Sequence, residues 1–165
     1  MYTLFPIEPE FPEGFSYIPD FISEAEEAEL CRLIAHIPLH PMQFQGYEAR
    51  RKVESFGFDY HFDTRRLTKA KPIPREFQLL IRKVATHLSL PETDLEKLLI
   101  TEYPPGSVIN WHRDAPPYEL IAGVSFLSDC VFRLRPHDKA KQGRGSVISF
   151  PLQRRSLYVM KGASR

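Results

Sequence analysis

Hydrophobic positions along the chain change period several times. Residues 1–20 interleave Phe5, Phe11 and Phe15 with Pro6, Pro9, Pro12 and Pro19, which predicts an extended arm whose aromatics pack onto the body. Ser23, with Glu26 three residues on, forms a capping box and predicts a helix start. Leu30, Ile34 and Ile37 share one face of that helix, and Pro38 and Pro41 end it. Between Arg50 and Tyr60 the period falls to two. Phe56, Phe58 and Tyr60 alternate with Ser55, Gly57 and Asp59, so a strand with three aromatics on one face is expected. A second helix is expected from about Pro74 to Leu88, with Phe77, Leu80, Ile81, Val84 and Leu88 as its apolar stripe. Beyond Pro91, short apolar runs at 97–103, 107–111, 120–127, 130–134, 145–150 and 156–160 alternate with turn residues, the pattern of a sandwich or barrel. Helices followed by strands make the class α+β with a β-sandwich core.

Composition narrows this picture. A chain of 165 residues corresponds to one domain at about 150 residues each. Its 15 prolines against 8 glycines disfavour a bundle of long helices. No apolar run approaches the roughly 20 residues of a membrane span, so no membrane partner is expected. The first ten residues are acidic and broken by proline, unlike a signal peptide. Cys31 and Cys130 lie in apolar stretches without disulfide or zinc spacing, which predicts two buried free thiols in a reducing cytosol and hence a cytoplasmic protein, expected as a monomer.

The net charge of +1 hides an uneven distribution. Residues 1–30 carry 8 acidic and no basic residues, residues 50–83 carry 10 basic and 4 acidic ones, and residues 131–165 carry 9 basic residues against Asp138 alone. A basic centre and C-terminal stretch permit a polyanionic partner without requiring one, since solvated faces that balance each other would look the same.

Candidate chemistry concentrates in Thr101-Glu-Tyr-Pro-Pro-Gly-Ser-Val-Ile-Asn-Trp-His-Arg-Asp114. On extended backbone His112 and Asp114 leave the same side, while Trp111 leaves the other and is expected to pack. A neutral imidazole and a carboxylate are two parts of the facial triad of non-haem iron(II) oxygenases. Alone, the tripeptide more often marks a surface pair. His112-Arg-Asp114 also matches the catalytic loop of protein kinases, but no Gly-rich loop, strand lysine or Asp-Phe-Gly accompanies it. His137-Asp138 reads as a solvated loop, and His36, His40, His61 and His87 show no ligand spacing.

The stretch resembles the AlkB family of iron(II)- and 2-oxoglutarate-dependent dioxygenases, whose motif is matched by Tyr103, Pro105-Gly106, His112 and Asp114. Further likeness lies in Arg51-Lys-Val-Glu-Ser-Phe-Gly-Phe-Asp-Tyr60, Ala122-Gly-Val-Ser-Phe126 and Gly162-Ala-Ser-Arg165. The resemblance implies a single dioxygenase domain over 1–165: an arm at 1–20, a nucleotide-recognition lid at about 45–72, and a double-stranded β-helix (jelly-roll) core at about 97–165, flanked by the N-terminal helices. It implies Fe(II) held by His112 and Asp114, and 2-oxoglutarate held through Tyr103. Thr101 stands where many members carry Asn, which removes an amide donor there. Oxidative N-dealkylation of nucleobases in DNA or RNA is the implied reaction.

Arg50, Arg51 and Lys52 beside Phe56, Phe58 and Tyr60 suit phosphate attraction and base stacking. Arg51 and Tyr60 are the expected substrate contacts, whereas Phe56 and Phe58 are expected in the core. In the family a second histidine follows the segment matched by Gly162–Arg165, and arginines for 2-oxoglutarate come later still. A C-terminally truncated fragment, short of its last one or two strands and a poor catalyst, is therefore expected. Two further readings stay open: a catalytically silent nucleic-acid-binding module, and the same chemistry on protein or a small molecule.

Overall fold

The computed structural model describes residues 9–165. The elements in chain order are β1 (Phe15–Ile18), α1 (Glu24–Ile34), β2 (His40–Phe44), β3 (Tyr47–Phe56), β4 (Phe58–His61), β5 (Arg66–Lys69) and α2 (Gln78–Leu88). They continue as β6 (Leu98–Glu102), β7 (Leu120–Val124), β8 (Cys130–Leu134), β9 (Ile148–Leu152) and β10 (Leu157–Lys161). Two compact units result: the chain up to Glu27 with Glu119–Arg165, and Ala28–Tyr118.

The first unit is a sandwich of two antiparallel sheets, β1-β10-β7 and β8-β9. Alternation along each strand sends one set of side chains inward. Phe15, Phe150, Leu152 and Met160 are buried, with Phe132, Leu134 and Tyr158 packed against them. Rings from the two sheets meet there, Phe15 with Phe132 at 5.8 Å and Phe132 with Tyr158 at 4.8 Å between centroids. The expected arm is thus partly a strand, because backbone pairing of β1 to β10 adds to the packing of Phe11 and Phe15. Phe5 and Pro6 of that arm lie outside the described residues. Glu27, 3% exposed, accepts the Leu127 amide at 2.8 Å and an Arg154 guanidinium N–H at 2.5 Å, so its buried carboxylate is satisfied.

In the second unit β2-β3-β6 form one antiparallel sheet and β4-β5 a hairpin. The capping box is present: the Glu26 amide donates to Ser23 Oγ at 3.1 Å and the Ser23 amide to Glu26 Oε2 at 2.7 Å. Arg75–Phe77 form a 3-10 turn leading into α2, whose Val84 and Ala85 are buried, as is Phe77. Four expectations need correction. The single strand over residues 50–60 breaks at Gly57, whose φ is +80° and where a Cβ would stand 1.9 Å from the Glu96 carbonyl oxygen. Its three aromatics therefore do not share one continuous strand; Phe56 is buried, while Phe58 and Tyr60 are half-buried on β4. Residues 107–111 form no strand, and Val108 is 76% exposed. Trp111, expected to pack, is 40% exposed, and neither thiol is buried, Cys31 being half-buried and Cys130 exposed.

Candidate functional site

The segment after β6 is shaped by a tight turn. The Ser107 amide donates to the Pro104 carbonyl at 3.0 Å, with Pro105 and Gly106 at the centre. Proline sets the first central φ, and Gly106 supplies the φ of +76° that a type II turn requires at the second. The chain then runs without regular structure through His112 and Asp114, which converge even though no strand carries them: His112 Nε2 lies 3.4 Å from Asp114 Oδ1.

The other ring nitrogen is also engaged. His112 Nδ1 lies 2.7 Å from the Asn110 carbonyl oxygen, a contact in which the ring donates. That contact commits Nδ1 as a donor and leaves Nε2 as the nitrogen that faces the carboxylate, where it carries a proton shared with Asp114 or exchanges that proton for a metal ion, the arrangement that orients metal-binding imidazoles. Asp114 holds the His112 pKa above its ordinary value, aided by the Asn110 carbonyl and opposed by burial and by Arg51. Both side chains keep partial access to solvent, 47% and 33%.

Cis donors on an ion with bonds of about 2.1 Å lie about 3 Å apart, so Nε2 and Oδ1 fit two neighbouring positions on one ion. A borderline divalent cation such as iron(II) suits an imidazole with a carboxylate. Among the described residues no group of three His, Cys, Asp or Glu side chains stands together as a metal site. The donor set present thus fits two corners of a facial triad.

Arg51, on β3, donates through Nε and Nη2 to Met42 Sδ at 3.0 and 2.6 Å. A thioether orients the guanidinium without neutralising it, and the charge is felt at His112. Thr101 sits on β6 opposite Val53 of β3, and Tyr103 follows the strand end with 53% of its surface exposed. Tyr60 belongs to the β4-β5 hairpin, its ring edge-on to Phe62 at 5.0 Å. His112 and Asp114 are therefore brought together, the Arg51 charge slightly opposes the effect of Asp114 on His112, and Tyr60 joins an aromatic group with Phe62 and Phe44. Sequence reasoning missed Asn110 and Met42, which act through a backbone carbonyl and a sulfur that carry no motif.

A groove of about 310 Å³ between β3, β4 and β5 holds none of these groups. Its carboxylates are already paired, Glu54 with Lys71 at 3.3 Å and Asp59 with Lys97 at 3.2 Å, so its polarity is internally balanced.

Residues 14–165 match the model of the 2OG-Fe(II) oxygenase superfamily. The chain belongs to that superfamily. It is AlkB-like and has the 2-oxoglutarate-dependent dioxygenase fold, with an α+β jelly-roll core. Over 95% of its length it superposes on 83% of the OsALKBH1 structure, with a TM-score of 0.67 and 12% identity, a likeness of fold. It is similar to the tRNA (carboxymethyluridine(34)-5-O)-methyltransferase alkbh8 of Xenopus tropicalis, 26% identical over 164 residues covering 96% of this chain and 25% of that protein. The Mus musculus ALKBH8 is 29% identical over 161 residues, 93% of this chain and 23% of that protein. The RNA demethylase ALKBH5 of Bos taurus is 33% identical over 95 residues, covering 52% of this chain and 23% of that protein. The chain spans about a quarter of the length of these curated relatives. Among the described residues no helix is long and apolar enough to cross a membrane.

Proposed function

We propose that this domain performs iron(II)- and 2-oxoglutarate-dependent oxidative N-dealkylation of bases in nucleic acid, with RNA favoured over DNA. The observation that carries the reading is the convergence of His112 Nε2 and Asp114 Oδ1 with Nδ1 already committed to the Asn110 carbonyl. His112 and Asp114 would hold Fe(II), which with 2-oxoglutarate and dioxygen supplies the hydroxylating chemistry. The hydroxylated N-alkyl group then leaves the base as an aldehyde. RNA is favoured because the similar proteins include one named an RNA demethylase and others named for a tRNA modification.

The chain's own residues would bind and orient. The Asn110 carbonyl keeps the imidazole in one tautomer, so no ring rotation accompanies metal uptake. Tyr103, exposed beside the turn, would donate its hydroxyl to a 2-oxoglutarate carboxylate, with Thr101 as a shorter polar neighbour on β6. Arg51, held by Met42 and uncompensated by that sulfur, would attract a substrate phosphate. Tyr60, backed edge-on by Phe62, would offer a face for a base from the β3–β5 region acting as the lid.

Manganese(II) serves as a redox-quiet probe of the metal donors. Calorimetric titration of the wild-type protein should show one site, and His112→Ala or Asp114→Ala should weaken it by more than the roughly tenfold that loss of a residue merely supporting a ligand costs. Undiminished manganese affinity in the double variant would remove the assignment. A second reading is a nucleic-acid-binding module without turnover. It is favoured by the basic excess of residues 50–83, 10 basic against 4 acidic, which serves polyanion binding with or without turnover. RNA affinity indifferent to metal and 2-oxoglutarate, with no succinate formed, would establish that reading instead.

A further inference from the structure

We propose that the β8–β9 hairpin is a second contact surface for nucleic acid, one that grips the phosphodiester backbone independently of base identity; it rests on the nucleic-acid reading above. Alternation along β8 turns Phe132 and Leu134 toward the buried aromatics and leaves Val131 and Arg133 exposed on the other face, with Arg135 exposed just past the strand end. Ser149 of β9 lies opposite Arg133 and Pro151 opposite Val131, so this face of the paired strands carries no carboxylate. The connection to β9 adds Lys139, Lys141 and Arg144, all exposed and in no ion pair among the described residues. Over residues 133–144 five basic residues meet one acidic residue, Asp138.

That carboxylate is occupied locally, accepting the Ala140 amide at 3.0 Å. The loop is also ordered by its own contacts. Gln142 Nε2 donates to the Pro136 carbonyl at 2.9 Å and the His137 carbonyl at 3.3 Å, and Ser146 donates twice to the Gly143 carbonyl. A pre-formed cationic loop loses less freedom on binding than a loose one. By contrast with Lys139, Lys141 and Arg144, Arg154 and Arg155 of the same unit are spent on Glu27 and Asp20. Exposed Val131 and Val147 border the cations and give sugar and base faces an apolar neighbour.

The test is fluorescence anisotropy of the full chain with an unmodified, fluorescein-labelled 20-nucleotide oligouridine, without metal or 2-oxoglutarate. The binding is then readable whether or not the oxygenase reading holds. The triple variant Lys139→Gln, Lys141→Gln, Arg144→Gln should bind about tenfold more weakly near 0.1 M salt. Its slope of log affinity against log salt should fall by about 2, since each lost single-strand phosphate contact removes ~0.7. The charge-keeping variant Lys139→Arg, Lys141→Arg, Arg144→Lys should bind as the wild type does, which separates charge from loop folding. Absence of RNA binding by the wild type, an unchanged affinity and slope in the neutral variant, or an equal loss in the charge-keeping variant would each overturn the proposal. Labelled poly-L-glutamate is the acidic-protein arm. If its binding depends on the loop while RNA binding does not, the surface serves acidic protein and the proposal fails.

Discussion

The ring of His112 is held at both nitrogens, by a backbone carbonyl on one side and by a carboxylate on the other. This arrangement is legible only in part from sequence. Two residues of the right type at the right spacing identify the pair, whereas the carbonyl that fixes the tautomer belongs to Asn110 only by position and would be the same for almost any side chain. Arg51 illustrates the same limit, because its partner is the thioether of Met42, nine residues away across β2 and β3. Glu27 has a structural role that no motif announces. Its carboxyl pKa is lowered, first by the hydrogen bond from Arg154 and then by the Leu127 amide, against the opposing effect of burial. A depressed folded pKa means stabilisation that is complete above the unfolded carboxyl value of about 4.3 and lost as pH falls through the lower folded one. Glu27→Gln should therefore destabilise by about 2 kcal/mol near pH 6, judged from two hydrogen bonds that lose their charge assistance and from an amide N–H2 set against Arg154 or the Leu127 amide. Urea midpoints measured from pH 6 to pH 3 should show the gap to wild type closing at the acid end. A constant gap would assign the effect to shape alone.

Among elements, both helices and five of the six expected C-terminal strands form where the hydrophobic period places them. The exceptions have physical causes. Val108 and Ile109 satisfy β-propensity, yet propensity reports fit to a pleated, half-covered surface, and the segment pairs with no strand. Conversely, β2 and β5 are short, polar or proline-bearing, and pairing to β3 and β4 rather than their own pattern makes them strands. The break between β3 and β4 depends on Gly57. Its amide and carbonyl bond Lys71 and Ala70 at 2.6 and 2.9 Å, while the Glu96 carbonyl occupies the space a side chain would need. Gly57→Ala combines positive φ with a backbone clash and should cost about 3 kcal/mol. Thermal unfolding checks this: a melting temperature within a degree of wild type would show that the corner yields freely.

For the molecule as a whole, a net charge of +1 predicts little, and its distribution predicts more. Acidic side chains of the N-terminal stretch, Asp20 and Glu27, take up Arg155 and Arg154, so part of the basic excess near the C-terminus is structural. Lys139, Lys141 and Arg144 stand outside those pairs in the β8–β9 connection, and the candidate metal pair lies in the other unit with Arg51. The chain belongs to the 2OG-Fe(II) oxygenase superfamily, and the proposed chemistry rests on the two-donor pair. The most direct test of that account is mass spectrometry of an N-methylated RNA oligonucleotide incubated with the full-length protein, iron(II), 2-oxoglutarate and oxygen. The account predicts loss of the methyl group matched by succinate release, both abolished by Asp114→Ala. Demethylation that persists undiminished in that variant, or an oligonucleotide left intact by the wild type while a peptide or small molecule is hydroxylated with release of succinate, would contradict it.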